Sequence, residues 1–249
     1  MTTIHVLPDR PTMGRQAATI IAQILKERLL AVDGPVRVVF AAAQSQRDTL
    51  DALIATDGID WSRIEAFHMD EYLGLPEEHP SGFANWLRQH IFGRVPFRAT
   101  HTIHPGADPE QAATDYASLM GDAPLDLVIC GIGQNGHLAF NDPPVADFND
   151  PLDAKVVELD LTCRLQQVED GGFATLEEVP THAITLTVPR LMHSVAVVCI
   201  VPDASKRQAV TAALTGPITT EVPASILRTH PNATFVLDKE AGADVDPGQ

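Results

Sequence analysis

The stretch Gly131-Ile132-Gly133-Gln134-Asn135-Gly136-His137-Leu138-Ala139-Phe140-Asn141-Asp142 sets one histidine between an amide, Asn135, and a carboxylate, Asp142, in a turn dense in glycine. An imidazole exchanges a proton near neutral pH, and glycines such as Gly136 let backbone approach a ligand closely. A second segment, Phe67-His68-Met69-Asp70-Glu71-Tyr72, offers two adjacent acids. Successive residues leaving a strand point opposite ways, so one acid enters a site and the other faces away. Asp70 is the candidate general base, since a partly desolvated carboxylate can take a proton, while an acidic cap on the following turn is the bland reading of the pair. Arg164 and Lys206 are isolated cations that together could grip a phosphate, Arg164 by its fork and Lys206 as a point charge beside helix amides. His101 and His104 lie on a Pro-flanked loop without an obvious third ligand, so no metal is expected there.

These side chains need a frame. Val36 to Ala43, Ile64 to His68, Leu125 to Cys130, Ala183 to Leu186, Val195 to Val201 and Thr234 to Leu237 are short apolar runs, several too apolar to be strands covered on one side only. Helical faces lie between them: Ala17, Ile20, Ile21, Ile24 and Leu25; Leu50, Leu53 and Ile54; Tyr116 and Leu119; Val210 and Leu214. The pattern predicts an α/β fold, a mostly parallel sheet with helices on both faces, arranged as a three-layer Rossmann-like single domain over residues 1–249. Its site belongs at the carboxyl ends of the strands, where the Gly131–Asp142 turn and Asp70 both fall. Val145 to Pro151 and Val168 to Pro180 read as loops, the second either a mobile lid or an ordinary solvated loop, and the tail from Glu240 reads as flexible.

Composition narrows the partners. A formal charge of -16 argues against nucleic acid or an anionic membrane surface, both of which need a positive footprint. Cys130, Cys163 and Cys199 are too scattered for a disulfide frame or a cysteine metal site. The start of the chain lacks the pattern of a secretory signal, and no apolar run approaches the ~18 residues of a membrane span, so a soluble cytoplasmic protein is expected.

The combination His68-Met69-Asp70-Glu71-Tyr72-Leu73-Gly74-Leu75, then Gly131 to Asp142, then Lys206 in its Ser-Lys context resembles the glucosamine-6-phosphate deaminase/isomerase family from about residue 35 to Asp238. Sugar-phosphate lactonases share that fold, but their pattern has Asp-Glu-Arg at the position of Asp70-Glu71-Tyr72. The resemblance implies conversion of glucosamine 6-phosphate, or a close analogue, to fructose 6-phosphate and ammonia without a cofactor. His137 would open the sugar ring, positioned by Asn135 and Asp142, and Asp70 would carry the proton from C2 to C1. Ser45, Glu71, Gly136, Arg164 and Lys206 would contact the substrate, and homo-oligomers are frequent in the family. Three positions depart from the family's pattern. Ala41-Ala42-Ala43-Gln44-Ser45-Gln46 replaces a glycine-rich phosphate loop, and here Ser45 can instead cap the next helix with Asp48 as reciprocal partner. Asn135 replaces an aspartate, and Asp142 replaces a glutamate, losing the reach of about one methylene. A lactonase, in which His137 would activate water, and a non-enzymatic sugar-phosphate sensor are the competing readings.

Overall fold

The computed structural model describes residues 2–246. In chain order the elements are β1 (Thr3–Leu7), α1 (Arg10–Ala31), β2 (Val36–Phe40), α2 (Arg47–Ile54), β3 (Ile64–His68), β4 (Asp70–Tyr72), α3 (Phe83–Leu87), β5 (Ala99–His101) and α4 (Pro109–Met120). There follow β6 (Leu127–Cys130), β7 (Ala154–Glu158), α5 (Leu161–Glu169), β8 (His182–Leu186), α6 (Val188–Met192), β9 (Val197–Val201), α7 (Arg207–Thr215) and β10 (Ala233–Asp238). Seven strands form one parallel sheet in the order β1-β10-β9-β6-β2-β3-β5.

Alternation along these strands divides the core between the two faces. Val39, Phe67, Val128, Cys199, Val201 and Phe235 pack with Tyr116 and Met120 of α4 and Val210 and Leu214 of α7. Val38, Phe40, Ile64, Ile129, Val198 and Val236 pack with Ala17, Ile21 and Leu25 of α1 and Leu50 and Leu53 of α2. Both faces are therefore covered, which is why β6 and β9 are buried throughout and read as continuous apolar runs. The helical faces hold with one exception. Leu119 is exposed, because α4 presents Ala113, Tyr116 and Met120 to the sheet and position 119 falls outside that stripe.

Ala183–Leu186 departs from expectation. It lies in β8, the middle of a separate antiparallel sheet ordered β4-β8-β7, and not in the parallel sheet. The chain leaves β3 at His68 and, two residues later, Asp70 pairs with Thr185. Beside this small sheet Tyr72, Phe140, Val157, Cys163 and Phe173 form a third apolar cluster. Val145–Pro151 lacks regular structure, and Val168–Pro180 holds the end of α5 and a short 3-10 turn at Leu176–Glu178. The segment after β10 docks through buried Ala241 and through Arg207 Nε, which donates to Asp244 Oδ2 at 2.7 Å, while residues 247–249 lie outside the described part. Among the described residues no helix is long and apolar enough to cross a membrane.

Candidate active site

A cleft of about 450 Å³ opens where β2, β3 and β6 end, and Ala41–Gln46, Asp70, Gly131–Gly133, His137 and Lys206 line it. Strand ends deliver each group: the 41–46 turn follows β2, Asp70 follows β3, and the glycine turn follows β6.

The imidazole of His137 lies flat against Gly133. A Cβ built on Gly133 would sit 2.1 Å from His137 Nε2 and Cε1, so only glycine admits the ring there. His137 Nδ1 is 3.0 Å from Asp142 Oδ1, close enough for an ion pair although off the line of a hydrogen bond. Asn135 holds this pair from both ends: its Oδ1 accepts from the His137 backbone N–H at 3.1 Å and its Nδ2 donates to Asp142 Oδ1 at 3.0 Å. Burial opposes ionisation of Asp142, but His137, Asn135 and the Asp160 N–H outweigh it and hold the carboxyl below its usual range. The shorter arm of Asp142 therefore still reaches. Between the two residues the backbone turns tightly, with Ala139 in the left-handed region at φ 52° and Leu138 bridged to Asn141. A non-glycine residue there costs on the order of 1–3 kcal/mol, a strain that accompanies the contact.

Asp70 is 6% exposed and faces the cleft. Burial, then the neighbouring Glu71 and Asp142 charges, push its carboxyl well above the usual range, the direction that suits a group that must both take and return a proton. Glu71 points the other way. Its Oε1 accepts from the N–H of Tyr72 and Phe83, both at 3.0 Å, and its Oε2 from Ala84 at 2.8 Å. It caps the start of α3 and lies outside the cleft lining, so the expected substrate contact gives way to the capping alternative.

Of the two expected cations, one is in place. Lys206 lines the cleft, is 7% exposed, and its Nζ has no hydrogen-bond partner among the described residues. Burial lowers its pKa against the opposing pull of Asp170. Arg164 turns away: on α5 its Nη2 donates to the carbonyls of Leu176 at 2.8 Å and Val179 at 2.9 Å, tying down the loop instead of reaching the cleft. Gly136 does not line the cleft; it sits at φ 84° with its carbonyl accepting from the Ala224 N–H at 2.9 Å. Ser45 lines the cleft but caps nothing; its Oγ accepts from Gln46 Nε2 at 3.1 Å, and Asp48 pairs with Arg10 in place of the expected reciprocal cap. None of Ala41, Ala42 and Ala43 takes positive φ, so alanine fits the turn without strain.

Arg10, Tyr72, Gln166 and Asp170 also line the cleft without having been singled out. Arg10 lies at the start of α1, far from every motif, and only its pairing with Asp48 and Asp203 marks it. Tyr72 could have been found from its place beside Asp70, whereas Gln166 depends on where α5 docks, its Oε1 accepting from the Gln134 N–H at 2.9 Å. His137, Asp142 and Cys163 bring one ligand atom each within 4.8 Å of one another, a set able to hold a divalent ion. His101 instead stacks on Phe67, and His104 Nε2 contacts Thr102 Oγ1 at 3.0 Å.

A paired histidine and carboxylate and a buried acid lie in one cleft at the carboxyl ends of a parallel sheet, the place where α/β folds bind ligands. Residues 8–148 match the family described as glucosamine-6-phosphate isomerases/6-phosphogluconolactonase. A glucosamine-6-phosphate deaminase of Lactobacillus delbrueckii subsp. bulgaricus is 31% identical over 241 residues, covering 96% of this chain and 98% of its own. One from Exiguobacterium sibiricum is 30% identical over 231 residues, covering 92% and 89%. Among solved structures, a monomeric glucosamine-6-phosphate deaminase superposes with a TM-score of 0.87 at 25% identity over 97% of this chain and 99% of its own. The 6-phosphogluconolactonase of Thermotoga maritima shares the fold, with a TM-score of 0.78 at 20% identity over 96% and 100% of the two chains. The chain belongs to the glucosamine-6-phosphate isomerase/6-phosphogluconolactonase family.

Proposed function

We propose that the protein converts glucosamine 6-phosphate, or a close amino-sugar phosphate, to fructose 6-phosphate and ammonia. The observation that carries this reading is the meeting of Asp70 and His137 in one cleft, His137 beside the Asp142 carboxylate and Asp70 buried. A lactone hydrolase needs one activated water; a C2-to-C1 proton transfer needs a ring-opening relay and a separate base, and this cleft offers both.

His137 transfers a proton between the anomeric hydroxyl and the ring oxygen, with Asp142 stabilising the imidazolium that forms. Asn135 orients the pair but adds no charge, so Asp142 alone supplies the balancing anion. The opened sugar presents its C2 proton to Asp70, which takes it and returns it to C1, while one proton of the C2 ammonium passes to O1, leaving the protonated imine of the ketose. Water adds to that imine and ammonia departs. Asp70 starts the cycle ionised and ends it ionised. Lys206 holds the phosphate in a cleft that also carries Asp70, Asp170 and Asp203. The deaminases among the relatives support this chemistry over the lactonases, whose likeness extends to the fold.

The test is ammonia release from glucosamine 6-phosphate, with glucosamine and 6-phosphogluconolactone assayed beside it. Ammonia from the phosphorylated amino sugar supports the reading. Lactone hydrolysis without ammonia would transfer the chain to the hydrolytic side of its family, and binding without turnover would make it a sensor.

A further inference from the structure

The phosphate end of the cleft has lost one of its two expected cations. With Arg164 turned into the 176–179 loop, Lys206 faces Asp170 and Asp203 at the mouth, and a phosphomonoester would add about 1.5–2 negative charges to that pair. One buried ammonium does not balance that load. Arg10 stands on the same wall.

We propose that Arg10 is the second cation of this subsite and sets the preference for phosphorylated over unphosphorylated sugars, with Asp203 as the anion that the phosphate displaces from it; this rests on the sugar-phosphate reading above. Two contacts aim the guanidinium without blocking it: Nε donates to Asp48 Oδ2 at 2.6 Å, and Nη2 donates to the carbonyl of Gln44. Helix packing fixes the first of these. A Cβ on Gly14 would lie 2.8 Å from Asp48 Cβ, so α1 approaches α2 this closely only because position 14 is glycine, one turn beyond Arg10.

The third contact is the exchangeable one. Arg10 Nη1 meets Asp203 Oδ2 at 3.2 Å, and the Asp203 side chain is 53% exposed. An arginine fork presents five N–H groups, and these contacts engage three of them. A phosphate entering beside Lys206 takes the remaining donors and the one given to Asp203, exchanging a solvent-screened ion pair for a charge-assisted fork. Without a ligand Arg10 and Lys206 face Asp48, Asp170 and Asp203, so the empty subsite carries no surplus of positive charge and receives a dianion only if both cations remain and Asp203 gives way. Asp203 is held in place for this role, with backbone φ 79° and its N–H bonded to Asp238 Oδ2 at 3.0 Å.

The experiment measures calorimetric binding of inorganic phosphate and the KM and kcat for glucosamine 6-phosphate in the full-length protein and in Arg10→Met, Arg10→Lys and Asp203→Asn. Arg10→Met is expected to weaken phosphate binding and raise KM roughly ten- to hundred-fold while kcat stays within a few-fold. Arg10→Lys should recover part of the loss, and Asp203→Asn should tighten phosphate about two- to fivefold by removing its competitor. Unchanged phosphate binding in folded Arg10→Met overturns the inference, as does wild-type protein that binds no phosphate. Wild-type protein that binds phosphate through Arg10 yet releases no ammonia would sink the deaminase reading and leave the subsite standing.

Discussion

Gly133→Ala isolates the imidazole of His137 from everything else in the cleft. Gly133 is outside the left-handed region, so alanine suits its backbone; the obstacle is the ring, which would lie 2.1 Å from the new Cβ. Ordinary van der Waals contact begins near 3.4 Å, so the imidazole must retreat by about 1.3 Å. A shift of that size breaks the 3.0 Å approach to Asp142 and carries the ring away from a bound sugar. Misplacing a reacting group by about 1 Å costs on the order of 100-fold, while the crowding itself costs about 1–3 kcal/mol of stability. Steady-state ammonia release should therefore show kcat lowered roughly 100-fold, with thermal melting confirming a folded protein. Binding of glucitol 6-phosphate, which has no ring to open, should change little. A kcat within threefold of wild type would show that the position of His137 does not limit the reaction, and the relay reasoning would be wrong.

Asp70→Asn should raise the melting temperature at neutral pH. Burial raises the pKa of Asp70 in the folded protein above its value in the unfolded chain, so its ionisation is a destabilising term that grows as pH rises above the ordinary carboxylate range and that the amide removes. An unchanged or lower melting point, with the fold intact, would contradict the burial argument. Glu71→Gln should do the reverse: one of the two acceptor oxygens that take three backbone N–H groups becomes a donor, costing about 1–3 kcal/mol in urea unfolding while KM stays within a few-fold. A large rise in KM without loss of stability would return Glu71 to the substrate. His68 gives a pH dependence. Burial, with His104 nearby, pushes its imidazole down to about 3, while Nε2 accepts from the Ile103 N–H at 2.7 Å. The unfolded chain binds that proton near pH 6.5, so this contribution to stability is intact above about 6.5 and is lost progressively as pH falls toward 3. Its NMR signals should remain those of neutral imidazole at pH 5, and a titration between pH 6 and 7 would refute the assignment.

Groups next to a strand end were legible in the sequence, and groups placed by docking were not. Asp70 and His137 follow β3 and β6 directly, so apolar runs and a glycine turn sufficed to bring them to one cleft. The same logic misplaced Ala183–Leu186, because periodicity reports burial and not which sheet a strand joins. Arg164 shows the limit most clearly. Its charge in an acidic chain suggested a ligand contact, but its direction depends on how α5 settles against the 176–179 loop, and there two carbonyls take it. Arg10 failed in the opposite sense. Its partners Asp48 and Asp203 lie 38 and 193 residues away, and no local pattern encodes such a meeting. Glu71 was separable from Asp70 by strand alternation alone, although both had been assigned to the site.

In the proposed reaction one cleft opens the sugar ring at His137 and moves a proton from C2 to C1 through Asp70. The most direct test converts glucosamine 6-phosphate in deuterium oxide and reads the fructose 6-phosphate by NMR. Ammonia together with solvent deuterium at C1 is expected, because the proton held by Asp70 exchanges with water between leaving C2 and reaching C1. Ammonia with no deuterium at C1, or product with no ammonia, would contradict it.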